Sequence, residues 1–592
     1  MPESIEDKAT SLAIELKELI RHFEHRSFTA HISHMGNIHV RQRSGQIKLR
    51  SPIRQLMYLI SLYHATDLGG KTMYTPGSEK DKKMIRLLNE IEKGYGYEAD
   101  KPAGKALSEG EFNKLLVTKS TFLNYYLNAP LSYYEQDIER IKRTFQYFEA
   151  YILKETGLSI QDYMDFFNLL SELEITRGTK YLNHDYDNDP LLMAIKRGKN
   201  PKNFTLDEKV RLMDIGEQAV YDMTIPFTDI YARMDKEKAK QLMAYFTLLR
   251  KEDQDYLYYT DHCKYLDKPI LTTDGQHIAM VYSKQLINAI YEFLYGVCAD
   301  PEAPGRKVSD RRDIYLEDKT AELFQDFFGK EAKIFRSYRL NPGGNEKDLL
   351  IIFGDNAFIV ECKAHKYRMP LRDPQKAYER IYDDFQKSIG KGYEQAKEVE
   401  DKFIGNSHFS IFDKQKRKIA TFDPADFEEI FTIVVTQERF GQIQCDLSYL
   451  LHIEDDCNYP WAVAVNDLET FLITLKRKHN AIAQFSEFLL ARERLQGRVM
   501  CYDELELCAY FLFDKEAFIR NCSREEVFLS SPDMNLFFDL LYQIGFGFKE
   551  EANLADKIKR RNIKAESVIR YHKLKPAERV ANFLNNFKDG DA

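Results

Sequence analysis

Two short apolar runs joined by Gly354-Asp355-Asn356 constrain this chain more than any other stretch. Leu349 to Phe353 and Ala357 to Cys362 are rich in strand formers, and the residues between them favour a tight reversal, so the pattern predicts a hairpin. Side chains alternate across a strand, which puts Glu361 and Lys363 on the face of Ala357 and Ile359, with Phe358, Val360 and Cys362 opposite. Asp348 stands at the mouth of the first strand, and the fold-back brings its carboxylate beside Glu361. A strand otherwise as apolar as Phe358-Ile359-Val360 carries two charges at its end only if they face a polar cleft or each other.

Two carboxylates facing one lysine suit phosphodiester cleavage. Hard oxygen ligands bind Mg²⁺ or Mn²⁺, the metal polarises a phosphoryl group and acidifies a bound water, and an ammonium alongside orients that water or steadies developing charge. The spacing Asp-x12-Glu-x-Lys in this setting resembles the PD-(D/E)xK nuclease superfamily of restriction enzymes and repair exonucleases. The resemblance covers roughly residues 306–475. It implies an α/β restriction-endonuclease-like core, with a mixed central sheet flanked by helices, and a Mg²⁺ or Mn²⁺ ion held by Asp348, Glu361 and the backbone carbonyl of Cys362. It implies a catalytic role for Lys363, DNA as the partner with RNA left open, and endonuclease rather than exonuclease action. Restriction or anti-phage defence is the setting it implies, with a homo-oligomer or a defence-system protein as further partner. An inactive nucleic-acid- or protein-binding scaffold that keeps the fold is the alternative.

Further candidates follow from the same resemblance. Many members carry an acid on the helix before the sheet, and Glu317 lies near the stripe of Leu316, Thr320, Leu323, Phe324 and Phe327, whereas Glu322 groups with Asp318 and Asp326 on the polar side. A first-turn acid complementing the helix dipole is the other reading of Glu317. Gln395, in Gly392-Tyr393-Glu394-Gln395-Ala396, matches a glutamine-bearing helix of some members, although Val399 stands where that version has tyrosine. Lys366, Arg368 and Arg372 directly follow the motif strand and are the expected phosphate contacts. Between Arg336 and Arg380 nine Lys or Arg face six acids, a local basic excess in a chain of net charge -8.

At 592 residues the chain exceeds a single core. Residues 1–300 read as a mainly helical region with small β-hairpins, including a meander over Phe28 to Arg50 and a hairpin at Asp274-Gly275. A Pro/Gly linker, 300–305, precedes the nuclease-like domain at 306–475, and 476–592 returns to helix. Inside the middle domain the pattern predicts a long helix over Asp383 to Phe403, strands at Ile430 to Thr436 and Ala462 to Val465, and a helix capped by Asn466 with Glu469. Basic residues from Lys557 to Lys575 form either a solvated helix face or a DNA-facing patch. Eight cysteines without a Cys-x-x-Cys pair argue against structural zinc and disulfides. No apolar run nears the roughly 18 residues that span a bilayer, and the start carries no leader pattern, so a cytoplasmic protein without a membrane role is expected.

Overall fold

The structure, a computed structural model, describes residues 5–42, 48–95, 108–127, 132–183, 189–369, 371–454, 457–530, 532–543 and 545–550. The basic segment from Lys557 to Lys575 lies outside the described residues. The chain is mixed α/β and mostly helical, and it divides into two compact units. The first comprises residues up to 105 and 126–305. The second joins 106–125 to 306–552, so one early helix belongs with the later half and the region after 475 shares its unit. Among the described residues no helix is long and apolar enough to cross a membrane.

The first unit is helical, with one small sheet in which His277–Ala279 pairs with Ile225–Pro226 and Leu271–Thr272. The Asp274-Gly275 hairpin is present, with Gly275 at φ 77°. The expected meander is not: His25–Gln42 is one helix, and residues 43–47 lie outside the described residues. The misleading signal was Gly36. A Cβ there would stand 2.2 Å from the Val281 carbonyl oxygen, so this glycine lets the helix pack closely on the backbone that follows His277–Ala279 instead of making a turn.

The second unit starts with α1 (Glu109–Leu127) and continues, after the linker, with α2 (Val308–Phe328). Strands β1 (Lys333–Arg339), β2 (Glu346–Phe353) and β3 (Asn356–Lys363) follow, then α3 (Pro374–Phe385) and α4 (Lys391–Ile404). A π-helical stretch, Gln386–Gly390, divides what the sequence presents as one long helix. Next come β4 (Phe409–Phe412), β5 (Lys418–Phe422), β6 (Glu429–Thr436), β7 (Trp461–Ala464), α5 (Val465–Leu475), α6 (Ala481–Glu493) and α7 (Glu504–Phe513). The seven strands form one mixed sheet in the order β7-β6-β3-β2-β1-β4-β5, parallel from β7 to β3 and antiparallel beyond.

Helices cover both faces of this sheet. On one face Ala396, Val399 and Phe403 of α4 pack with Leu350, Ala357 and Ile359, which explains why Val399 is not a polar site residue. On the other, Phe328 of α2 and Phe485 of α6 stack near Phe358. The predicted capping box at Asn466 does not form: α5 has no side-chain cap, and Glu469 instead accepts a 2.6 Å hydrogen bond from the buried Lys319. Early helix α1 sends Val117 into the apolar cluster of Ala377, Ile381 and Phe385 on α3. Behind the sheet, the Arg492 guanidinium of α6 lies 2.7 and 2.9 Å from the two Glu504 oxygens, and the Trp461 indole N–H donates to Glu504 at 2.7 Å.

Candidate active site

Register and one local kink build the site. The β2–β3 ladder runs from Phe353 opposite Asn356 to Leu349 opposite Val360, closed by Gly354 at φ 59°. One further step puts Asp348 opposite Glu361. The β1–β2 ladder is interrupted at this level: Arg336 pairs with Leu349 and Tyr338 with Lys347, while the Ser337–Asp348 pair between them is skipped and Ser337 takes φ 52°. Residues three apart on a regular strand face opposite ways. Here Phe335 and Tyr338 both face the α4 side, as do Leu350 and Lys347, so both strands change phase at Ser337 and Asp348. The turned Asp348 carboxylate accepts the Cys362 N–H at 2.7 Å, as a ladder carbonyl would.

Alternation along β3 holds, and Glu361 and Lys363 share the α4 face. The Lys363 ammonium is 3.0 Å from Glu361 Oε2, 3.1 Å from the Cys362 carbonyl oxygen and 3.4 Å from Asp348 Oδ2. Three hard oxygens thus converge on one positive charge. Glu361 is fully buried, and the Lys363 side chain is 12% exposed. Helix α4 crosses close by because residue 392 is glycine: a Cβ there would lie 2.6 Å from Val434 Cγ1 and 3.4 Å from Lys363 Cγ.

Burial, and then the neighbouring Asp348 charge, hold the Glu361 carboxyl well above the carboxylate range against the pull of Lys363. Burial also opposes the Lys363 charge, but Glu361 and Asp348 outweigh it and raise the ammonium's pKa. Glu317 sits in the third turn of α2, so the first-turn reading falls away. Burial first, and then Asp348, Glu346 and Asp313, push its carboxyl up to about 7. Glu322 is exposed, as the helix phase predicts.

That raised pKa has a testable sign. The folded chain holds the Glu317 proton more tightly than the unfolded chain, so this group's ionisation removes stability as pH rises from about 4.5 to about 7. Glu317→Gln is therefore expected to leave the melting temperature unchanged near pH 4 and to raise it by a few degrees at pH 8, since 1 kcal/mol moves Tm about 2–4 °C in a unit of this size. Calorimetry at both pH values reads the difference. An equal shift at the two would show that the carboxylate carries no penalty.

Two residues join the site that the sequence did not flag. Lys347, 1% exposed, donates to the Gln395 carbonyl at 2.9 Å and to Glu398 Oε2 at 2.6 Å, and its charge acts on Glu361. The fully buried Tyr338 has a hydroxyl without a hydrogen-bond partner, within electrostatic reach of Glu361 and Asp348. Strict alternation would aim Lys347 away from α4, and only the phase change reveals it. Gln395 contributes its backbone carbonyl to Lys347, while its side-chain Oε1 is buried without a partner. Arg368 is paired on the surface: its backbone N–H and Nε bond Asp384 at 3.1 and 2.8 Å, and Nη2 bonds Asp383 at 2.8 Å, with its side chain 45% exposed. Lys366 and Arg372 stand exposed on the same loop.

The residues fit a divalent cation in chemistry and convergence, since two carboxylates and the Cys362 carbonyl already surround a cationic group. Among the described residues no group of three or more His, Cys, Asp or Glu side chains that could hold a metal ion comes together. No protein-family profile matches the chain, and neither does any curated protein or solved structure.

Proposed function

We propose that the second unit is a metal-dependent nuclease of the PD-(D/E)xK kind, built on a restriction-endonuclease-like core and hydrolysing DNA phosphodiester bonds, with restriction or anti-phage defence as its setting. One observation carries the reading: Asp348 Oδ2, Glu361 Oε2 and the Cys362 carbonyl converge on one cationic point at the open end of a buried hairpin. Mg²⁺ or Mn²⁺ bound by these oxygens supplies charge that polarises a phosphoryl group and acidifies water. Asp348 and Glu361 are held for that role by the strand phase change and by burial. Lys363 brings an ammonium to the attacking water or the developing phosphorane charge, and Glu317 adds a carboxylate from the opposite side of the sheet. Lys366 and Arg372 offer exposed cations to the phosphodiester backbone, whereas Arg368 anchors their loop to α3.

The test is cleavage of plasmid and linear DNA by the purified chain with Mg²⁺ or Mn²⁺, set against Lys363→Ala. The expected result is metal-dependent cutting that falls by a factor of about 100 or more in the variant while its circular dichroism is unchanged. Equal cutting by both proteins would sink the reading.

A further inference from the structure

Resting on the nuclease reading, we propose that Lys363 is a tethered occupant of the cation position, so that a divalent ion enters only by displacing the ammonium from its three oxygens. All three oxygens assigned to the metal lie within 3.4 Å of Nζ, and two of them within 3.1 Å. A lysine that served only the attacking water would stand beside this oxygen set instead of at its centre. The ammonium bridges both acidic side chains of the set, 3.0 Å from the fully buried Glu361 and 3.4 Å from Asp348 across the ladder.

The Lys363 stem passes Gly392, where a Cβ would lie 3.4 Å from Lys363 Cγ, so the missing side chain leaves space beside the stem. Such an exchange couples the two roles of the lysine. Metal binding releases the group that then meets the phosphate, and the ammonium returns when the ion leaves.

The consequence runs against the usual loss-of-function pattern: the same substitution that stops cleavage should tighten metal binding. Mn²⁺ affinity is read by electron paramagnetic resonance and calorimetry on the full chain, for wild type, Lys363→Met and Lys347→Met. Lys347 is the control because its ammonium also acts on Glu361 but is bonded to Gln395 and Glu398, away from the three oxygens. The expected result is Mn²⁺ binding on the order of tenfold tighter in Lys363→Met, with a clearly smaller change in Lys347→Met. Unchanged or weaker binding in Lys363→Met overturns the proposal, and so does equal tightening in both variants, which would mark a general charge effect. A wild type that neither cuts DNA nor binds Mn²⁺ overturns the nuclease reading itself. Melting curves of the metal-free variants establish that each is folded.

Discussion

Glu361→Gln is expected to lower metal-dependent DNA cleavage by three orders of magnitude or more, with the fold retained. A metal's contribution to a phosphoryl-transfer transition state is several kcal/mol, and each tenfold in rate is about 1.36 kcal/mol. Losing the charged ligand at the centre of the oxygen set forfeits most of that. Gln keeps the shape and an oxygen able to accept from Lys363, so the cavity and hydrogen-bond losses that Ala would bring are avoided. Mn²⁺ affinity should fall in parallel, which separates this variant from Lys363→Met, where cleavage and affinity are expected to part. Measured rates within tenfold of wild type would remove Glu361 from the catalytic set.

The second large effect lies away from the chemistry. Arg492→Leu is expected to destabilise the second unit by roughly 3–5 kcal/mol, the cost of stranding a buried charge when its partner is removed. Arg492 and Glu504 are each 2% exposed, and Glu504 also holds the Trp461 indole, so no water stands ready to solvate the orphaned carboxylate. A melting point lowered by on the order of 10 °C is the expected readout for a unit of this size. Arg492→Leu combined with Glu504→Leu should recover most of that loss, apart from the indole bond. A single variant within a degree or two of wild type would mean that the pair is solvated or dispensable.

What the sequence makes legible follows the range of the forces involved. The hairpin, its facing and the meeting of Asp348, Glu361 and Lys363 come from a two-residue period and a glycine turn, all local. The same period does not reveal Lys347 at the site, because the phase change at Ser337 and Asp348 is settled by neighbouring strands and no adjacent residue announces it. Gly36 and Gly392 look like any glycines until the backbone or side chain pressed against them is known. Likewise Glu469 fits a capping box by spacing, yet the buried ammonium of Lys319 claims it. Strands β4 and β5, at one end of the sheet, are not legible because they are short, partly exposed and separated by the polar turn around Asp413 to Arg417. Arg368 was legible as a cation beside the motif strand, but not as the partner of Asp384 sixteen residues on.

The placement of α1 has a consequence for how this chain is made. Val117 finds Ala377, Ile381 and Phe385 only after about 260 further residues have left the ribosome, on the order of 13–50 s at roughly 5–20 residues per second. Most of a protein helix's stability comes from tertiary packing, so the ordered state of this helix waits on a partner not yet translated. The second unit is therefore encoded in two separated stretches. A fragment cut to begin at Arg306 would carry the whole hairpin but lack the Val117 contact on the α3 cluster, whereas supplying 106–125 in trans would restore it.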